Sequence, residues 1–261
     1  MTGSQVVAVE CGRGPVVVLV HGQPGRGDDW APVAGLLAEG HRVIVPDRPG
    51  WGATGGAGQG LAGNAEALVG LLAERGALPA TVVGHSFGGG VALALARRHP
   101  EAVRSLVLVA SVGTGTALGV IDRLLAAAAG TSQAGRAAWG AARGLGARPW
   151  SRLVPPLGRP PARLPARWAT FGVEQRALLV ETPSLEAALP TLSVPTAVVA
   201  GQRDRIVPPR AARDLSAAIP GAELVWVGAA GHRLPRLAPA ALAAVIHRYA
   251  GDFGRRDDSE V

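Results

Sequence analysis

The stretch Thr81-Val82-Val83-Gly84-His85-Ser86-Phe87-Gly88-Gly89-Gly90 decides how the rest of the chain is read. β-Branched apolar residues run into Gly84, and an Ala/Leu-rich segment from Val91 to Arg98 follows the glycines. The first reads as a buried strand and the second as a helix. A strand that turns into a helix within a few residues needs small residues on both sides of the corner. Gly84 and Gly88 let the two backbones approach, and the residue at the tip, Ser86, is pushed into a strained, exposed conformation. G-x-S-x-G between strand and helix is the setting in which a serine is presented as a nucleophile. Among 37 glycines the pattern arises readily by chance; the flanking strand and helix give it weight.

On either side of this stretch, strands and helices alternate. Val6 to Glu10 and Pro15 to Val20 read as strands around the turn Cys11-Gly12-Arg13-Gly14, and the second runs into His21-Gly22-Gln23-Pro24-Gly25. A helix capped by Asp28 or Asp29 extends to about Glu39, Arg42 to Pro46 is a strand, and Leu61 to Arg75 has helical periodicity. Val103 to Ala110 is a further buried strand. After Ser111 the rhythm breaks: helical stretches such as Val120 to Ala129 and Gln133 to Gly144 precede a Pro- and Arg-rich passage from Arg148 to Arg167. It resumes with strands at Thr196 to Ala200 and Leu224 to Val227 and helices at Pro209 to Ile219 and Pro239 to Ala250. The expected architecture is α/β, a mostly parallel twisted sheet with helices on both faces. Residues 1–111 and 191–251 form its core, 112–190 a helical cap over the strand ends where ligands bind, and 252–261 a flexible tail.

Composition narrows the functional classes. The chain of 261 residues has 48% hydrophobic content, enough for one large core, and no apolar run long enough to span a membrane. The N-terminus lacks the basic and apolar regions of a secretory signal, and the single Cys11 excludes an internal disulfide. A cytoplasmic protein is the expectation. All 26 basic residues are Arg and the net charge is +7, but with one Tyr and three Phe there is no aromatic interleaving for single-stranded nucleic acid. No nucleic-acid partner is therefore expected.

A serine hydroxyl needs a positioned base, usually His, itself oriented by a carboxylate. Of six histidines, His232 lies in Gly228-Ala229-Ala230-Gly231-His232 after a strand, a loop suited to presenting a base. His21 reads as a side chain that holds its own loop. Asp204 sits in the turn Gly201 to Pro208 that leaves a strand at the same sheet edge as Ser86, with Asp122 as the reserve acid. The competing reading of Asp204 is a surface ion pair with Arg203 or Arg205. The oxyanion donors are the Phe87 N–H and, from the loop after Val20, the Gln23 N–H.

With these residues in place, the chain resembles the α/β-hydrolase superfamily, specifically its cap-bearing serine hydrolases. The resemblance rests on H-G-x-P at His21 to Pro24, D-x-P-G-x-G at Asp47 to Gly52, the turn at Gly84 to Gly88, G-x-x-D-x-x-V-P at Gly201 to Pro208, and G-H at Gly231-His232. It implies a triad of Ser86, Asp204 and His232 and a cap from about Val112 to Pro190, with no metal or other cofactor. Ser86 argues against the epoxide hydrolases and haloalkane dehalogenases, which carry Asp there. His85 and Arg233 stand where carbon–carbon bond hydrolases typically have Asn and Trp. Gln23 departs from proline iminopeptidases and perhydrolases.

The esterase, lipase and thioesterase-like group remains, with a small-molecule acyl substrate. Alternatives are carbon–carbon bond hydrolysis, other cofactor-free chemistry of the fold, or a slow-turnover ligand receptor. Gly22, Trp51, Trp150 and Arg233 are the candidate substrate contacts. Between 113 and 190 nine Arg oppose four acids, giving the cap +5 of the net +7. An anionic substrate would exploit that field, and a solvated Arg-rich surface is the plainer reading. A monomer or homodimer is expected.

Overall fold

The computed structural model describes residues 6–119 and 166–251. Seven strands form one sheet in the order β1-β3-β2-β4-β5-β6-β7: β1 (Ala8–Cys11), β2 (Val16–Val20), β3 (Arg42–Pro46), β4 (Ala80–His85), β5 (Val103–Val109), β6 (Thr196–Ala200) and β7 (Glu223–Trp226). Only the edge strand β1 is antiparallel, pairing with β3. The other ladders are parallel, with Leu19 opposite Val83, Val83 opposite Val107 and Val107 opposite Ala197. The expected α/β architecture is what the chain adopts.

Alternation along the strands divides the core into two layers. Val18, Val20, Val82, Leu106, Leu108 and Val198 face α2 (Leu61–Glu74) and α3 (Phe87–Arg98). Val17, Leu19, Val83, Val107, Val109 and Val199 face α1 (Ala31–Leu37) and the C-terminal helix (Pro239–Ala250). Because both faces are covered, the central strands read as unbroken apolar runs. A parallel sheet brings all its strand C-termini to one edge, and β2, β4 and β6 each end there in a loop with polar residues: His21 to Gly25, Ser86, and Asp204.

Two sequence expectations shift. The helix expected from Asp28 or Asp29 to Glu39 is instead a 3-10 turn, Gly27–Trp30, followed by α1, which ends at Leu37 ahead of Gly40. The second is larger. A 23-residue helix, α4 (Ala166–Ala188), precedes β6 inside the span expected to be helical, where the sequence delimited no individual helix. Its buried stripe carries Thr170, Glu174 and Thr182 beside Ala177, Leu178 and Leu185, while Val173 and Val180 are exposed. Polar residues inside and valines outside erase the amphipathic signal on which a sequence reading depends. Pro183 within the helix adds to the concealment. Three shorter α-helices are also described: α5 (Pro209–Ala218) against β6, α6 (Leu234–Leu237), and the C-terminal helix, α7. The expected helices at 120–129 and 133–144 and the tail from 252 lie outside the described residues. No helix of the described residues is long and apolar enough to cross a membrane.

Candidate active site

Ser86 sits at the corner between β4 and α3 with φ +55° and ψ −118°. That left-handed backbone is unfavourable for a residue with a Cβ and persists only where the surroundings over-determine it. They do so here. The Ser86 amide donates to Val109 O (2.9 Å), and its carbonyl accepts from the Gly89 and Val112 amides (3.0 and 3.2 Å). A Cβ on Gly84 would collide with the Gly88 carbonyl, and one on Gly88 with the Val20 carbonyl, so both glycines are needed for the close approach. Contrary to the exposed tip expected, Ser86 is only 6% exposed and opens on a cavity of about 450 Å³, its open mouth included.

Asp204 leaves β6 in a turn that it closes itself: its Oδ1 accepts from the Ile206 and Val207 amides at 2.8 and 3.0 Å. Its Oδ2 accepts from His232 Nδ1 at 2.8 Å, and the Asp204 side chain is 1% exposed. Among the described residues no arginine pairs with Asp204, so the surface-pair reading fails for it. The carboxylate accepts from Nδ1–H, so Nε2 is the ring nitrogen turned away from this bond. His232 is steadied from below as well. His85 Nε2 donates to the His232 carbonyl at 2.9 Å, and the two rings lie 4.9 Å apart. Burial, then the neighbouring His232, lowers His85 to about 3, so it is neutral and acts as a fixed donor. No hydrogen bond joins Ser86 to His232 among the described residues; such contacts often tighten only when substrate is bound.

The loop after β2 presses on this corner from the other side. A Cβ on Gly22 would lie 2.9 Å from Ser86 Cβ and 3.1 Å from His85 Nδ1. His21 is fully buried and does hold the loop: its Nε2 accepts from the Arg48 amide at 3.0 Å, so Nδ1–H donates to Gly22 O at 2.8 Å. Burial, and then the charge of Arg48, keeps His21 well below its ordinary pKa and neutral. The Gln23 and Phe87 amides donate to no described residue, and both residues line the cavity with Ser86. The cavity is otherwise apolar over much of its wall, with Phe171 and Leu178 of α4, Val112 and Leu118 after β5, and Val207 beside Asp204. The unpartnered side-chain oxygens of Gln23 and Gln175 are the polar exceptions. Sequence reasoning missed the α4 residues because the helix itself was concealed, although Val207 stood in a quoted motif.

The other candidates scatter. Trp51 is buried, its indole N–H donates to Glu174 Oε1 at 2.9 Å, and it is not among the described cavity-lining residues. Arg233 is exposed at the start of α6 and is not among the cavity-lining residues. Trp150 and Asp122 lie outside the described residues, as do seven of the nine cap arginines; Arg167 and Arg176 are exposed. Among the described residues no group of three or more His, Cys, Asp and Glu is placed to hold a metal ion.

Arg48, the variable position of the D-x-P-G-x-G motif, organises the site's flank. Its Nε donates to His21 O (2.9 Å) and Nη2 to Gly22 O (2.9 Å), while Nη1 pairs closely with Glu174 Oε1 on α4. The guanidinium carbon lies 4.6 Å from the centre of the Phe87 ring. Both members of the ion pair are buried, and burial raises Glu174 against the pull of Arg48.

The sheet order, the strained serine turn and the loops at one edge are those of the alpha/beta hydrolase family, whose sequence profile matches residues 17–245. The chain belongs to that family and is a hydrolase. It is 30% identical over 260 residues to the magnesium-chelatase 30 kDa subunit of Rhodobacter capsulatus, covering 89% of this chain and 86% of the relative. It is 44% identical over 100 residues to the pimeloyl-[acyl-carrier protein] methyl ester esterase of Chromobacterium violaceum, 38% of each chain. Among solved structures, a thermophilic esterase from Thermogutta terrifontis superposes with TM-score 0.75 at 25% identity, over 94% of this chain and 92% of the other.

Proposed function

We propose that the protein is a serine hydrolase that cleaves a small or medium carboxylic ester or thioester through an acyl-enzyme. Ser86 Oγ attacks the acyl carbonyl while His232 Nε2 takes its proton, and Asp204 holds the tautomer and stabilises the imidazolium. The Gln23 and Phe87 amides receive the oxyanion, and His232 then activates the water that releases the acid. The observation that carries the reading is the Asp204–His232 hydrogen bond of 2.8 Å at the same sheet edge as the left-handed Ser86. The esterase likeness in sequence and in fold supports it. In this reading residues 1–111 and 191–251 form the catalytic core, 112–190 the cap, and Gly22 flanks the substrate's path. The cytoplasm is the proposed compartment.

Hydrolysis of p-nitrophenyl acyl esters of increasing chain length, with fluorophosphonate labelling, tests it. Ser86→Ala is expected to abolish labelling and to lower kcat by roughly 10⁶-fold. A wild type that labels but turns over no ester points to another bond, carbon–carbon among them, or to a receptor. A wild type that does not label sinks the assignment of Ser86.

A further inference from the structure

Arg48 grips the peptide that, on the serine-hydrolase reading above, supplies an oxyanion donor. The Gly22 carbonyl accepts from Arg48 Nη2 at 2.9 Å and from His21 Nδ1 at 2.8 Å. The Gly22–Gln23 peptide is trans, the cis bond of this loop being the next one, Gln23–Pro24. In a trans peptide the C=O and N–H point in opposite directions. Two donors that pull the Gly22 oxygen to one side therefore aim the Gln23 N–H to the other. Arg48 also donates to the preceding carbonyl, His21 O, at 2.9 Å, so two successive peptides are held by one rigid fork.

The same guanidinium lies 4.6 Å from the ring centre of Phe87, whose amide is the second proposed donor. It is locked in turn by Glu174 on α4 and by the Asn64 side chain on α2. Glu174 keeps a second partner, the Trp51 indole N–H. A cation on the Gly22 carbonyl also polarises the amide group and strengthens its N–H as a donor.

We infer that Arg48 is a positioning residue for the oxyanion hole, held in place by Glu174, so that α4 of the cap region sets the geometry of the donor loop. Arg48 touches no substrate. Its contribution appears only when negative charge develops on the acyl oxygen, and hence in kcat rather than KM.

The test compares wild type, Arg48→Lys and Glu174→Gln. Lysine keeps the charge but cannot span His21 O, Gly22 O and Glu174 together, whereas the Glu174→Gln side chain retains one acceptor oxygen. The readouts are kcat and KM on the best p-nitrophenyl ester, the fluorophosphonate labelling rate, and inhibition by an aryl trifluoromethyl ketone. That ketone adds Ser86 Oγ to its carbonyl and places the resulting oxyanion in the hole. Arg48→Lys is expected to lower kcat roughly 10²-fold, the loss typical of one oxyanion donor, with KM within about threefold. The ketone's Ki should rise in parallel with the loss of kcat/KM, and the acid limb of the pH–rate profile, set by the base, should stay in place. Glu174→Gln should show the same pattern, reduced. If Arg48→Lys does not fold, Glu174→Gln carries the same readouts.

Unchanged ketone affinity beside a fallen kcat overturns the inference. So does a loss that follows only the folded fraction measured by circular dichroism, or one confined to KM. A wild type that neither labels nor hydrolyses any ester overturns instead the serine-hydrolase reading beneath it.

Discussion

Ser86 is strained, and the missing side chain of Gly22 leaves room for its Cβ. A methyl at position 22 would sit 2.9 Å from Ser86 Cβ, closer than real Cβ contacts come, and a tight 3.1 Å from the ring of His85. Something must move, and the nearest movable groups are the proposed nucleophile and the support of His232. Gly22→Ala is therefore expected to lower kcat/KM on p-nitrophenyl esters roughly 10²-fold, because misplacing a reacting group by about 1 Å costs that much. Activity within twofold of wild type would mean that the loop yields without moving Ser86. Gly22, unlike Trp51, belongs beside the site through backbone proximity alone.

Among the elements, α4 is fastened to the core by its three glutamates. Glu174 meets Arg48 and Trp51, Glu181 accepts from the Leu61 and Ala62 amides at 3.2 and 2.8 Å, and Glu186 accepts from the Gly115 amide at 2.8 Å. Glu181 caps α2 from outside, since the residue at the start of that helix is Gly60 and offers no side chain. A carboxylate there satisfies orphan amides and faces the positive end of the helix. Glu181→Ala is expected to cost about 1 kcal/mol, read as a fall of roughly 2–4 °C in melting temperature. Ester turnover per folded molecule should be unchanged. A melting temperature equal to wild type would show that water replaces the cap without loss.

Across the molecule, the buried histidines dictate the response to acid. His85 is lowered from 6.5 to about 3 and His21 well below 6.5, both chiefly by burial. The unfolded chain therefore binds two more protons than the native state as pH falls below about 6.5, and native stability drops with it, by up to about 1.4 kcal/mol per pH unit for each group. Glu174 is raised above 4.5 and acts oppositely, since the native state then holds a proton that the unfolded chain has lost. His41, lowered chiefly by burial, adds to the two histidines, and the lowered Glu10 and Glu66 act the same way, so the sign is unchanged. Urea midpoints should fall steadily from pH 7 to pH 5, and a flat or rising trend would show that neither histidine stays neutral in the native protein.

The strand–helix alternation was legible in the amino-acid order, because buried parallel strands must be continuous apolar runs and turns must carry glycine and proline. The same order singled out Ser86, Asp204, His232 and the His21 loop, since each follows a strand end and the sheet gathers those ends. What it could not reveal is what α4 does. The face α4 buries mixes Thr170, Glu174 and Thr182 with Ala177, Leu178 and Leu185, and Val173 and Val180 stand exposed, so the periodicity is blurred. Glu174 counted in the sequence only as one of four acids among nine arginines. Its meeting with Arg48, 126 residues away, and the aim that Arg48 gives to the Gly22–Gln23 peptide exist only after the chain has closed. A buried charge is tolerable only where its partner arrives through tertiary packing, and local sequence carries no record of that partner.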